Sequence, residues 1–538
     1  MSRSYLALLA ICAGFPAVRA ADPALWKVAP PPPASWQRDR VGDLTARRKA
    51  VADRIGERGV LLLYAAEPRN YANDVDWPYR QENDFFYLTG LTQPGATLVL
   101  VPGAEKMREM VFLPKADPAQ ETWTGHMFSP AEARAISGIA DVFDAGELNR
   151  VLTTLIPRAR VALAPPGAAG RGGRGGRGGR GAAEAPSDGP DWKAAFAKPI
   201  EFGEKQELQL YMILPVRSND PEHLREREFA GKIASTGAGI PIKDATSIFD
   251  ALRRVKSPRE LDILQHAVDI TAEAFQRTYA TAVPGAWEYE MQAQFEYTFL
   301  RRNAHWGYPC IVGSGVNATT LHYETNKDQI HEGDLLLMDD AAEFDQYSVD
   351  VTRTIPVNGR FTKEQADIYR LVWEAQQAGF KAARPGHTSD DKAGGIQAAV
   401  NETFRKGLFK LGLITDDNSA DQAKVWSIHG VSHGIGLNVH DPGGAELQPG
   451  MVITVEPGLY FRPDALDHLP NTPENERFIQ AVKPVFEKYK GIGVRIEDDV
   501  LITAGAPKVL SAAIPSKLEE VEAEIARLRK SLKSNPLP

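Results

Sequence analysis

The sequence predicts an α/β protein in two parts, a first α/β domain followed by a larger one assembled from two similar halves. Three observations carry that expectation. Early in the chain a helical apolar pattern gives way to several short apolar runs. Later, the same helix-start signal is written twice, and two apolar runs each open on a glycine and end on an acid six residues on. With 538 residues, 43% of them hydrophobic and 25% charged, the chain is long enough for more than one domain and apolar enough to bury large cores. Its formal charge of −8 gives no global pull toward nucleic acid or an anionic membrane, so neither is expected as a partner. The cysteines, Cys12 and Cys310, are too few for a disulfide scaffold or a four-cysteine zinc site.

Taken in order, residues 1–20 read as a secretory signal. Arg3 supplies the positive end, Tyr5 to Ala13 an apolar run too short to span a bilayer, and Val18-Arg19-Ala20 a cleavage site. Cleavage would remove Cys12 and leave Cys310 alone, which suits an oxidising compartment, and the periplasm is the expected location. An uncleaved or lipidated anchor is disfavoured because Ile11 is bulky where lipoprotein processing wants a small residue. After Pro30 to Pro33, Leu44, Val51 and Ile55 recur at helical spacing, and Val60 to Tyr64, Thr97 to Val101 and Met110 to Leu113 read as strands of a domain over residues 40–250. A Gly- and Arg-rich stretch at 165–190, with Arg-Gly-Gly repeats from Gly170 to Gly181, is too poor in apolar residues to order itself. It is expected to be a surface insertion rather than an RNA-binding segment.

Residues 251–515 hold the repeated pattern. Ser257-Pro258-Arg259-Glu260 is a capping box with proline at the first helical position; Leu261, Leu264, Val268 and Phe275 follow, and Pro284-Gly285 stops the helix. Thr362-Lys363-Glu364-Gln365 starts a second helix with Ile368, Val372 and Ala375, stopped at Pro385-Gly386. Gly333 leads into Leu335 to Met338 and Asp339; Gly450 leads into Val452 to Val455 and Glu456. His322 precedes the first glycine by 11 residues and His440 the second by 10. Two such halves facing each other would gather their acids and histidines about a pseudo-two-fold axis. The charged tail at 516–538 reads as a further helix.

An acid at the end of an apolar strand needs a partner, because burying an unpaired charge costs several kcal/mol or a large pKa shift. Asp339 and Glu456 are in such places. Asp350 lies 11 residues after Asp339, where a hairpin through Glu343 to Gln346 would return it, and Glu497 sits in the alternating Gly493 to Val500. Three histidines fall within 12 residues, His429, His433 and His440, among glycines that allow close backbone approach. One imidazole with four carboxylates suits two divalent cations bridged by shared acids, manganese first, with zinc or cobalt as alternatives.

The strings LLLMDDAAEFDQYSVDVTRTIPVNG, HGVSHGIGLNVHD, PGMVITVEPGLY and GIGVRIEDDV resemble those of aminopeptidase P, the Xaa-Pro aminopeptidases among the pita-bread metallopeptidases. YRQENDFFYLTG, from Tyr79 to Gly90, is similar to that family's creatinase-like N-terminal domain. The resemblance implies an N-terminal α/β domain and an internally duplicated pita-bread catalytic domain. It implies metal ligands Asp339, Asp350, His433, Glu456 and Glu497, with Asp350 and Glu497 bridging. His322, His429 and His440 match the family's active-site histidines and Arg495 its supporting arginine, while Glu456 is the candidate proton carrier. The implied substrates are peptides with an Xaa-Pro N-terminus, and the implied assembly is a homo-oligomer in which Trp123 reaches a neighbouring subunit's cleft; core packing is the alternative for that tryptophan.

This chain departs from the family pattern at Asp340-Ala341, where Ala-Gly is common, in a longer stretch from Arg462 to Lys490, in a shorter one from Tyr308 to Val312, and in the Arg-Gly-Gly insertion. Alternatives to an aminopeptidase are an Xaa-Pro dipeptidase, which should close the side beyond the proline, and a non-catalytic peptide-binding protein. The intact ligand set argues against the last.

Overall fold

The computed structural model describes residues 26–106, 108–156, 190–216, 218, 220–390, 392–443 and 446–534. The leader and the Arg-Gly-Gly repeats lie outside the described residues. The first helix, Arg40–Ile55, buries Leu44, Val51 and Ile55 as their spacing predicts. A six-stranded sheet follows, in the order Asp141–Asp144, Glu109–Leu113, Thr97–Leu100, Gly59–Tyr64, Gln209–Met212, Ile242–Asp244. Gly59–Tyr64 pairs antiparallel with Thr97–Leu100 and parallel with Gln209–Met212, so both its edges are satisfied. Alternation then sends its side chains to two cores: Leu61 and Leu63 join the large one with Val51 and Phe85, whereas Val60, Leu62 and Tyr64 pack with Leu152, Phe196 and Phe229.

The two capping boxes form as the sequence signals. Ser257 and Glu260 exchange side chain and backbone bonds at the start of Pro258–Thr281, and Thr362 and Gln365 do so at the start of Lys363–Ala382. Each of these helices leads a half. The first half continues through Glu288–Arg301 into a sheet of Ile311–Ser314, Leu335–Asp339 and Thr352–Pro356; the second passes through Ile396–Leu411 into Val452–Val455, Asp498–Leu501 and Lys508–Val509. Gly333 and Gly450 open the two central strands at φ 86° and 93°, a left-handed turn that a side chain would strain.

The halves are bolted together by Arg353. It is fully buried, donates to the carbonyl oxygens of Thr352 and Glu497, and pairs with Asp498 at 2.6 Å. The Glu497 N–H also donates to the Thr352 carbonyl across the same junction. The long stretch after Arg462 forms the helix Pro473–Tyr489, whose Phe486 ring stacks on Trp426 with Phe461 on that indole as well. The tail forms the helix Leu518–Ser534.

Candidate metal centre

Asp339 closes its strand opposite Thr352, and the hairpin of Ala342–Phe344 with Tyr347–Ser348 returns the chain to Asp350. The turn residues Asp345 and Gln346 lie at φ 52° and 65°, the mirror-type turn whose twist matches that of the strands. The Tyr308 hydroxyl sits 2.7 Å from Oδ1 of both Asp339 and Asp350 and holds the two acids side by side. From the other half, Glu456 follows directly on Val452–Val455, and Glu497 lies between the strands Gly493–Arg495 and Asp498–Leu501.

His433 is aimed by its neighbours. Its N–H donates to Thr454 Oγ1, and Nδ1 lies 3.0 Å from the Gly434 carbonyl, which leaves Nε2 as the free acceptor. That Nε2 is 3.4 Å from Glu456 Oε1 and 3.5 Å from Asp350 Oδ2. These spacings are long for hydrogen bonds and suit groups that share a cation. Ligand atoms of Asp350, His433 and Glu497 lie within 4.8 Å of one another, a spread that bonds of about 2.0–2.2 Å to one ion can gather with small adjustments. Asp339 adjoins this trio through the Tyr308 hydroxyl it shares with Asp350, and Glu456 adjoins it through His433.

The electrostatics test whether the donor set fits cations. Burial and the charge of Asp339 raise Asp350 well above the usual carboxylate range; burial and Asp350 do the same to Glu497; burial and Glu497 push Glu456 up to about 8. Glu497 Oε2 accepts from Thr352 Oγ1 at 2.6 Å, yet Oε1 has no partner although the residue is 2% exposed. Among the described residues Arg495 is the one guanidinium that pairs with these acids, at 2.5 Å from Asp339. Four crowded carboxylates, one with an orphaned oxygen, are short of positive charge, so the residues present fit divalent cations.

The other expected residues form the wall. His429 Nδ1 is 3.5 Å from Glu456 Oε2 and its Nε2 is 2.8 Å from the Tyr460 hydroxyl, which accepts from Arg495. Burial and the Arg495 charge pull His429 down to about 4. His440 stacks on His433 with ring centroids 3.8 Å apart, and desolvation together with the His433 charge holds it at about 4. His322 is exposed, close enough for its charge to depress both. A cleft of about 340 Å³, lined by Arg80, Glu343, Asn438 and His440 among others, opens beside the histidines.

Sequence reasoning missed Tyr308, Thr352, Tyr460 and Asp499, whose carboxylate accepts the Asp350 N–H. Thr352 and Tyr460 had a local signal, since each lies within a few residues of an acid in the quoted strings; Tyr308, 31 residues before Asp339, had none. Trp123 is 86% exposed on the short helix Pro118–Thr124, so the core-packing alternative does not apply.

Asp340 is fully buried behind Asp339, and neither of its carboxylate oxygens has a hydrogen bond of ordinary geometry, the Cys310 thiol and the Ala341 N–H being the weak donors that face it. Burial raises its pKa well above the usual range, with Asp339 and Glu296 adding to the shift against the Cys310 thiol. A carboxyl whose pKa rises on folding costs stability as pH climbs above its unfolded value. Asp340→Ala is therefore expected to stabilise the metal-loaded protein by about 1–3 kcal/mol at pH 8, and by less toward pH 5. Thermal melts of both proteins across that range check it; a destabilised variant at high pH would show that Asp340 has a partner in solution.

Residues 262–504 match metallopeptidase family M24, and residues 44–163 match the N-terminal domain of aminopeptidase P. The Xaa-Pro aminopeptidase of Escherichia coli (strain K12) is 31% identical over 496 residues, covering 90% of this chain and 97% of that protein. Among solved structures, E. coli aminopeptidase P with the inhibitor Pro-Leu superposes with a TM-score of 0.71 at 29% identity, covering 91% of this chain and 99% of that one. The zinc-substituted form of that protein in complex with product gives the same TM-score and identity, over 91% and 98% of the two chains.

Proposed function

This chain belongs to metallopeptidase family M24 and is a metal-dependent aminopeptidase of the aminopeptidase P kind, and from that premise we propose how its residues release the first residue of peptides whose second is proline. The observation that carries the reading is the convergence of Asp339, Asp350, His433, Glu456 and Glu497, drawn from both halves, on one cation-deficient cluster. Asp350 and Glu497, the central acids, would be shared between two cations; Asp339 would complete one shell, and His433 with Glu456 the other. Manganese is the proposed metal, with zinc or cobalt as alternatives. Such cations supply Lewis-acid activation of water and of the scissile carbonyl.

The chain's own residues do the rest. Glu456 presents Oε1 toward His433 and Oε2 toward His429, so one oxygen serves the cluster while the other can carry a proton. It takes that proton as water adds to the carbonyl carbon and passes it to the proline nitrogen as the C–N bond breaks. His440, neutral at pH 7, donates an N–H bond toward the carbonyl oxygen as it gains charge, while His429, whose Nδ1–H goes to the Gly430 carbonyl and whose Nε2 faces the Tyr460 hydroxyl, steadies that wall of the site. Arg495 and Tyr308 hold Asp339 in place. The aminopeptidase rather than the dipeptidase reading is supported by the relatives that this chain resembles, Xaa-Pro aminopeptidases at 31% and 30% identity.

Comparing Xaa-Pro dipeptides with Xaa-Pro-Xaa peptides under added manganese tests the proposal. Release of the first residue from the longer peptides is expected; cleavage of dipeptides alone would transfer the protein to the dipeptidases. Periplasmic export and homo-oligomerisation are further parts of the proposal, supported by the leader pattern and by the exposed Trp123. No helix among the described residues is long and apolar enough to cross a membrane.

Cation binding should be linked to pH. Glu456 titrates near 8 in the cation-free cluster, and Asp350 and Glu497 are raised as well, so a cation must displace protons below that pH. Affinity is expected to climb from about pH 6.5 to about pH 8.5, by up to about tenfold per pH unit for each proton displaced. Calorimetric manganese titrations across this range check it; an affinity that ignores pH would refute the link.

A further inference from the structure

The loop that carries the histidines is closed at its base by a backbone bridge between Gly434 and Asp441, the residues next to His433 and His440. The Asp441 N–H donates to the Gly434 carbonyl at 2.9 Å, so this one bridge sets the backbone from which the two stacked rings project. The Asp441 carboxylate does not face the metal cluster. It turns the other way and receives Arg253 Nη2 at 2.5 Å, Lys256 Nζ at 3.0 Å and the Asn438 N–H at 3.2 Å. A side chain at Gly436 would collide with that carboxylate, which is why glycine stands there. The other arm of Arg253 donates to Asp84 Oδ1 at 2.8 Å, in the N-terminal-domain helix Asn83–Thr89. All four ionic side chains are at most 8% exposed.

We propose that the Arg253 fork, gripping Asp84 of the N-terminal domain and Asp441 of the histidine loop, is a positioning device that transmits domain docking to the stack of His440 on His433. Buried ion pairs are weak stabilisers relative to apolar packing, and their value lies in enforcing one geometry. Here the geometry enforced is that of a residue one place from His440. Arginine is required rather than lysine, because only a planar fork satisfies two carboxylates from different domains at once. Arg253 and Asp441 touch no reacting group, so both act through His440. The inference rests on the reading of His440 as a participant in the reaction.

The test uses the full-length, metal-loaded protein with Arg253→Lys, which keeps the charge but not the fork, and Asp84→Asn, which weakens the domain-side grip. Each is made alone and in a His440→Ala background. Arg253→Lys is expected to lower kcat on an Xaa-Pro-Xaa peptide about tenfold, the scale set by sub-ångström misplacement, with KM and bound metal nearly unchanged. That loss should vanish in the His440→Ala background, since residues acting through one another are not additive. Backbone amides from Gly434 to Asp441 should exchange with deuterium faster in both variants. Full kcat in Arg253→Lys, or an equal loss with and without His440, would overturn the proposal. If His440→Ala itself turns over normally, the reading of His440 fails, and the exchange measurement still judges the device: unchanged protection overturns it and faster exchange sustains it.

Discussion

Glu497→Ala is expected to abolish most activity, by about 10³-fold or more in kcat/KM, because an acid shared by both proposed cations is lost and cation chemistry at such sites contributes several kcal/mol to the barrier. The same substitution should act on stability in opposite directions with and without metal. In the cation-free protein Glu497 is a buried carboxyl raised well above its usual pKa, with one oxygen unpartnered, so removing it should stabilise the fold at pH 8. In the metal-loaded protein it should destabilise, since ligand binding stabilises the folded state in proportion to affinity. Elemental analysis, melts with and without chelator, and kinetics at saturating manganese read all three. Retention of two ions per chain with wild-type turnover would remove Glu497 from the centre, and one ion per active, saturated wild-type chain would replace the two-cation arrangement with a single site.

Glu456→Gln keeps the shape of the side chain and removes its ability to carry a proton, so kcat is expected to fall by about 10²–10⁴-fold, the usual worth of a positioned acid–base group. The carboxylate lies between His433 and His429, so partial loss of metal is expected as well. Kinetics must therefore be measured at rising manganese concentrations until turnover saturates. A defect that persists at saturation, with KM within a few-fold of wild type, supports the proton role. Full recovery of turnover with added manganese would mean that Glu456 is a ligand alone and that the proton travels by another group. His429 is the alternative carrier, and burial together with the Arg495 charge already holds it neutral at pH 7.

Much of this molecule was legible in the chain because its signals are local. A capping box needs only four consecutive residues, and both boxes form where Ser257 and Thr362 announce them. A strand that begins after a glycine and ends at an acid shows its continuous apolar run without any partner, so Asp339 and Glu456 stood out, and the hairpin through Glu343 to Gln346 followed from the spacing of Asp339 and Asp350. What the sequence by itself determined was therefore the capped helix that leads each half, the strand in each half that runs from a glycine to an acid, and the family to which its metal motifs belong. Only the tertiary structure decided that Tyr308 reaches across to hold two acids at 2.7 Å, that Arg353 joins the two halves, that Trp123 is left exposed, and that Arg253 ties Asp441 to Asp84. The physical reason is that these are contacts between segments far apart in the chain. Propensity and periodicity act over a few residues, whereas the pairing of a buried charge depends on which distant groups packing brings within about 3 Å of it.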